Sequence, residues 1–206
     1  MTHAQDPAKD RARLIEILLA RSVRFGRFTL ASGAESPFYI DVRKTSLDPE
    51  GAAVLGRLLF AAHAEDIAAG RITAVGGLTL GADPLVVALA IEAFARGHRL
   101  DAFVVRKAQK THGTQNRIEG NLEPGARALI VEDVCTSGAS ALEAIEAARA
   151  AGAVVDRAWC AVDRRAGGRE ALAAAGVALT ACLEIETLLQ ASPEGRAILA
   201  RSPNAV

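Results

Sequence analysis

The chain reads as an α/β protein: a mostly parallel sheet flanked by helices, with a small α+β segment at its N-terminus. Three observations lead there. From residue 72 onward, short apolar runs alternate with alanine-rich stretches of helical period, the pattern of a parallel sheet covered on both faces. At two strand-to-helix junctions, residues 76–81 and 136–140, small and hydroxyl residues form the turn, beyond strand carboxyl ends where ligands of such sheets lie. Between residues 23 and 42 the helical period is lost, and β-branched and aromatic residues are interrupted by Gly26 and by Ser32-Gly33.

The elements follow in order. Asp6 is an N-cap with Pro7 at the first helical position, and Leu14, Ile15, Leu18 and Leu19 give the helix to about Arg21 one apolar stripe, suited to a cover. Residues 23–42 make two or three short strands. Asp48-Pro49 repeats the cap-then-proline signal and opens a helix to about Ile67. Strands are expected at 72–75, 101–107, 126–134, 154–162 and 177–185, with helices at about 83–96, 139–151 and 168–175. Trp159, on a strand, belongs to the core, whereas His3, His63 and His98 sit in polar or helix-end settings expected at the surface.

At 206 residues, 50% of them hydrophobic, the chain can bury one good core and fits a single domain. Lys+Arg and Asp+Glu both total 24, a balance that argues against coating nucleic acid or anionic lipid. Cys135, Cys160 and Cys182 are odd in number and widely spaced, so neither a disulfide framework nor a zinc site is indicated, and a reducing cytoplasm suits them. The polar N-terminus shows no targeting signal, and the apolar runs are too short or too charged to span a bilayer.

Residues 128–140 are the most informative stretch. An apolar strand runs into Glu132 and Asp133, then into a loop of small and hydroxyl residues, then into a helix. Small residues let backbone N–H groups approach an anion, and the positive end of the following helix dipole favours one there. The two carboxylates would repel a phosphate but accept hydrogen bonds from sugar hydroxyls, so a phosphorylated ribose satisfies both halves. The glycines at 76–81 form a second such turn, with neither the G-x-G-x-x-G spacing of a dinucleotide fold nor a P-loop pattern.

A polar segment between residues 107 and 126 breaks the alternation and is too long for an ordinary turn, as functional lids are. The chain has four lysines, and Lys107 and Lys110 are two of them, with Arg106 and His112 alongside. Cations at 106, 107, 110 and 112, just before the sugar-phosphate cradle, read as a lid over a second phosphate group.

With both segments in hand a resemblance appears. Residues 129–140, Leu-Ile-Val-Glu-Asp-Val-Cys-Thr-Ser-Gly-Ala-Ser, resemble the phosphoribosyl-diphosphate motif of the type I phosphoribosyltransferases. Arg106-Lys107-Ala-Gln-Lys110-Thr-His112-Gly113 resembles the mobile catalytic loop of the orotate phosphoribosyltransferase family, which is the more specific match. Phe28-Thr-Leu-Ala-Ser-Gly33 with Ser36-Pro-Phe-Tyr39 is similar to that family's N-terminal segment, and Asp163-Arg164 to its orotate-binding strand end.

The resemblance implies a type I phosphoribosyltransferase-like fold, one domain over residues 1–206 with residues 1–45 as a hood. It implies transfer of ribose 5-phosphate from phosphoribosyl diphosphate to N1 of orotate, giving orotidine 5′-phosphate and diphosphate in pyrimidine (UMP) biosynthesis. Lys107, Lys110 and His112 are then the catalytic residues, binding the diphosphate together with Arg106. Glu132 and Asp133 hold the ribose hydroxyls, and Val134, Cys135, Thr136, Ser137, Gly138, Ala139 and Ser140 wrap the 5-phosphate. Thr136 and Arg164 meet orotate. Magnesium is expected to bind mainly through phosphoribosyl diphosphate, with no metal ligand directly from the protein, and loop 106–121 is expected to be shared between the sites of a homodimer.

Cys135 is expected to pack rather than to act as a nucleophile. Ala31 stands where many such enzymes have lysine, and no lysine occurs in residues 78–84, so two cations are missing from the implied site, though Phe38 and Tyr39 can still flank the base. Two alternatives stand beside this reading: a phosphoribosyltransferase for a purine base, which shares the cradle, and a non-catalytic phosphoribosyl-diphosphate sensor regulating transcription, which calls for a basic DNA-binding appendage that the charge balance does not provide.

Overall fold

Each Asp-Pro pair starts a helix. The computed structural model describes residues 6–29, 33, 35–107 and 117–201. In α1 (Pro7–Arg21) the Asp6 carboxylate accepts from the Ala8 N–H at 3.0 Å. In α3 (Pro49–Ala68) Asp48 accepts from Glu50 and Gly51, satisfying N–H groups that a helix start leaves orphaned. Between them lie β1 (Val23–Thr29), β2 (Glu35–Ile40) and the one-turn helix α2 (Arg43–Ser46). β1 and β2 pair antiparallel as a separate two-stranded sheet, and Phe38, Ile40 and Val42 point into the same core as Leu14 and Leu18 of α1.

The main sheet has six strands: β3 (Ala74–Gly76), β4 (Asp101–Val105), β5 (Ile118–Gly120), β6 (Arg127–Cys135), β7 (Val154–Asp163) and β8 (Ala178–Glu184). Their order is β5-β4-β3-β6-β7-β8, and every pairing is parallel except β4 with β5. α3 and α4 (Asp83–Ala95) cover one face, where Leu55, Leu59, Leu85 and Leu89 meet Trp159, itself fully buried as expected. α5 (Ala139–Ala150) and α6 (Gly168–Ala174) cover the other face, where Ala144, Ile145 and Leu172 meet Ile130 and Cys160. β6 is paired with β3 as far as Ile130 and with β7 as far as Cys135, so its carboxyl end is held by β7.

The differences from expectation have local causes. β3 starts at Ala74, because the N–H groups of Arg71 and Ile72 turn back to the Asp66 carbonyl. The segment after Lys107 is not one continuous loop: it ends in β5, a three-residue edge strand whose sequence, Ile-Glu-Gly, carries no apolar alternation. The last strand stops at Glu184, and Ile185 opens α7 (Ile185–Gln190), followed by α8 (Pro193–Arg201).

His63 corrects the expectation of a surface residue: it is only 6% exposed. Its spacing explains this, since Leu55, Leu59, His63 and Ile67 recur every four residues along the buried stripe of α3. Burial, with a smaller push from the positive charge of Arg157, lowers its pKa to about 4, against the opposing pull of Asp66. The unfolded chain therefore takes up a proton before the folded one, and stability falls as pH drops from the ordinary histidine range toward about 4. In chemical denaturation at about pH 7 and about pH 4, the protein should lose about 3 kcal/mol relative to His63→Leu, all other groups being common to both. A parallel loss in the two proteins would exclude a buried neutral His63.

Candidate active site

At the carboxyl ends of the parallel strands lies a cleft of about 250 Å3. One wall is the end of β6 with the start of α5, residues 131–134 with Ser140; the second is the turn after β3, residues 78–82. Lys107, just past β4, and Tyr39, Asp41 and Arg43 from the N-terminal segment complete it.

The glycines of the second turn have a steric reason. A Cβ at Gly77 would lie 2.3 Å from the Val131 carbonyl oxygen, and one at Gly81 would lie 2.5 Å from a carboxylate oxygen of Asp133. Only glycine lets this turn lie so close against β6. Its other side is bonded to β4, Val105 N–H to the Gly77 carbonyl at 2.8 Å and Thr79 N–H to the Val105 carbonyl at 2.9 Å. The Thr79–Leu80 peptide within it is cis.

Glu132 and Asp133 both face the cleft from a largely buried strand end. Burial, and then the neighbouring charge of Asp133, pushes the Glu132 carboxyl up to about 8, opposed by the hydroxyl of Ser140 that donates to it. Its Oε2 atom is buried without a hydrogen-bond partner. Burial also raises Asp133, against the pull of the Val134 N–H, which donates to its Oδ1 at 2.9 Å, and of the Arg43 charge. A buried acceptor left unpaired is costly, which marks the place where a ligand's donor would be accommodated best.

The cradle follows directly. Thr136 and Ser137 are exposed, Gly138 has φ +78° and caps α5, and the first N–H groups of α5 face outward without intrahelical partners. Cys135 is fully buried, and a Cβ at Gly168 would come within 2.4 Å of its sulfur and 2.7 Å of the Thr136 carbonyl oxygen. The Cys135 thiol and burial together push the pKa of Cys160 upward, leaving a buried protonated thiol beside the cradle.

Arg164 is held from two directions. Its N–H donates to the Cys135 carbonyl at 2.8 Å, and its guanidinium lies 5.1 Å from the centre of the Phe38 ring, where burial lowers its pKa. The next residue, Arg165, has φ +56°, a conformation uncommon outside glycine. Its N–H donates at 2.8 Å to the fully buried Asp163 carboxylate, which also accepts from Arg169 at 3.0 Å.

Of the sequence-derived cations, Lys107 lines the cleft, while Arg106 turns toward β5, where it pairs with Glu119 at 3.5 Å. Lys110 and His112 lie outside the described residues, as does Ala31. Among the described residues no three His, Cys, Asp or Glu side chains gather as a metal site. Asp41 and Arg43 were not read from the sequence; their signal was an acid and two cations, Asp41-Val-Arg43-Lys44, directly after a strand.

No protein-family model matches the chain. A curated relative from Streptomyces avermitilis, an orotate phosphoribosyltransferase, is 47% identical over 169 residues, covering 81% of this chain and 90% of the relative. A crystal structure of Mycobacterium tuberculosis orotate phosphoribosyltransferase in complex with Fe(III) dicitrate matches with a TM-score of 0.76 and 42% identity, covering 87% of this chain and 98% of that one. The same enzyme in complex with 5-phospho-α-D-ribosyl 1-diphosphate matches with a TM-score of 0.72 at 38% identity, with the same coverage.

The acidic pair yields a direct prediction. In the metal-free and ligand-free protein, carboxyl carbon NMR should show Glu132 titrating near 8, well above its ordinary 4.5. Asp133→Asn should lower that value without restoring the ordinary one, because burial is the larger cause. Ordinary titration of Glu132 in the unaltered protein would refute the buried pair.

Proposed function

The chain belongs to the orotate phosphoribosyltransferase family, and from that membership we infer that it transfers the 5-phosphoribosyl group of phosphoribosyl diphosphate to N1 of orotate. The products are orotidine 5′-phosphate and diphosphate, in pyrimidine biosynthesis. The observation that carries the reading to this site is the buried, under-partnered Glu132–Asp133 pair at the mouth of a hydroxyl-lined helix start.

In the proposed arrangement Glu132 and Asp133 accept hydrogen bonds from the ribose hydroxyls and anchor the sugar. The amides of residues 134–140 and the hydroxyls of Thr136, Ser137 and Ser140 hold the 5-phosphate, with the α5 dipole adding to them. Arg164, whose planar fork suits a carboxylate, takes the orotate carboxylate, with Thr136 near the base. As the bond from C1 to diphosphate breaks and the bond to N1 forms, positive character grows on the sugar and negative charge on the leaving group. Lys107, Lys110 and His112, with Arg106 behind them, stabilise that charge.

Magnesium fits this arrangement. The unpartnered Glu132 oxygen and the adjacent Asp133 are hard oxygen donors beside the proposed phosphate cradle, which suits an ion carried mainly by phosphate oxygens. When bound, the ion neutralises charge on the diphosphate. The domain is proposed to span residues 1–206 with residues 1–45 as a hood, and the three unpaired cysteines fit a cytoplasmic location.

A homodimer is proposed as well, with loop 106–121 shared between the sites, part of it reaching the partner's. Val87, Ile91 and Phe94 of α4 are 54%, 65% and 78% exposed and follow one another at helical spacing, an apolar stripe that a second copy would cover.

With magnesium and phosphoribosyl diphosphate, the purified protein should consume orotate but not adenine, hypoxanthine or uracil. Turnover of a purine without turnover of orotate would overturn the assignment. If the loop is shared, Lys110→Ala and Asp133→Asn dimers should each be nearly inactive, and subunit exchange should restore about a quarter of the parent activity, since half the dimers then hold one intact site. Exchange demonstrated by mass without recovery would exclude sharing.

A further inference from the structure

We propose that Arg43 is a diphosphate-binding residue of this enzyme, supplying from the N-terminal segment the cation that the turn at residues 78–84 does not carry. The inference rests on the reading of the cleft as the phosphoribosyl-diphosphate site. The leaving group is a polyanion, yet the turn that forms one wall of the cleft, Leu-Thr-Leu-Gly-Ala-Asp-Pro, contains no basic residue. Among the described residues lining the cleft, Arg43 and Lys107 are the cationic ones.

Arg43 stands between the two features that need a positive charge. On one side it lines the cleft together with Glu132 and Asp133, close enough for its charge to act on Asp133. On the other it borders a shallower groove with Leu80, Asp83 and Pro84, at the lysine-free turn itself. A guanidinium there faces the space between the sugar anchor and the turn.

Its geometry is set before any ligand arrives. Asp41 accepts from Nε at 2.8 Å and from Nη2 at 3.1 Å, a two-point pairing that leaves the Nη1 edge for a ligand. α2 itself is anchored: Thr45 and Ser46 are buried, the Thr45 and Ser22 hydroxyls meet at 2.7 Å, and Gly51 of α3 lies so close that a Cβ would sit 2.1 Å from the Thr45 carbonyl oxygen. A cation on such a platform requires little reordering to meet phosphate oxygens. Arg43 is half exposed, so its removal leaves no cavity in the core.

Calorimetric binding of inorganic diphosphate and of ribose 5-phosphate, each with magnesium, to the full chain tests this directly. Arg43→Ala should weaken diphosphate binding by about tenfold or more while leaving ribose 5-phosphate within about threefold, as loss of a charged hydrogen-bonding contact predicts. The Michaelis constant for phosphoribosyl diphosphate should rise and that for orotate should stay within about threefold. Arg43→Lys, which keeps the charge and loses the fork, should fall between, and serves as the test should the alanine variant fail to fold. A folded variant that binds diphosphate within about threefold of the parent, or that weakens both ligands equally as a mere field effect would, overturns the role of Arg43 while orotate turnover in the unaltered protein stands. No orotate turnover in the unaltered protein would overturn the function and this inference together.

Discussion

Two adjacent carboxylates at the end of a strand paired on both sides are the constraint around which the site is built. β6 cannot swing its carboxyl end away, because β7 holds it in register to Cys135↔Asp163 and the turn after β3 packs so closely that a Cβ at Gly77 would lie 2.3 Å from the Val131 carbonyl oxygen. Glu132 and Asp133 are therefore held where burial penalises their charge, and the surroundings answer that penalty only in part. Ser140 and the Val134 N–H supply one hydrogen bond each, and Arg43 supplies charge from a distance. The remaining deficit is concentrated on Glu132 Oε2, so the folded protein retains an unfulfilled demand for donors at one point of the cleft.

Asp163, one strand over, shows what a structural carboxylate looks like in the same sheet. It is fully buried, but the Arg165 N–H and the Arg169 guanidinium answer its two oxygens. Removing either partner would strand a buried charge; the pair holds the chain reversal that aims Arg164. The difference between the two acids is thus not depth but pairing. A satisfied carboxylate stabilises a turn, and an unsatisfied one awaits a ligand.

Much of this was legible in the sequence because it depends on local signals. The Asp-Pro caps, the β6–α5 junction and the buried Trp159 each follow from residues within a few positions of one another. What escaped depends on distance along the chain. The partner of Arg106 is one example: the β4–β5 pairing brings Glu119 beside it, and β5 has only Ile-Glu-Gly to announce it. Asp41 and Arg43 drew no reading from the sequence, because only the packing of α2 on α3 and α4 brings them against a cleft whose other walls lie far along the chain. His63 was misread for a different reason: beside it in sequence lie small alanines and then Glu65 and Asp66, whereas its neighbours at four-residue spacing, Leu59 and Ile67, are large and apolar.

The parts of the site also differ in how they are attached to one another. The Arg164 N–H is bonded to the Cys135 carbonyl, and Gly168 sits against Gly138, where an added Cβ would lie 3.1 Å from the Gly168 carbonyl oxygen. The loop that carries Arg164, proposed to meet the base, and the loop proposed to cradle the phosphate therefore form one packed body, and the spacing between these proposed anchors is built into the sheet. The cations come from elsewhere: Arg43 from the N-terminal segment and Lys107 from the edge of the sheet beyond β4. Such a division matches the chemistry, since the sugar phosphate and base end up joined in one product and need a fixed separation. The diphosphate has to be gripped only while charge develops on it, and then released.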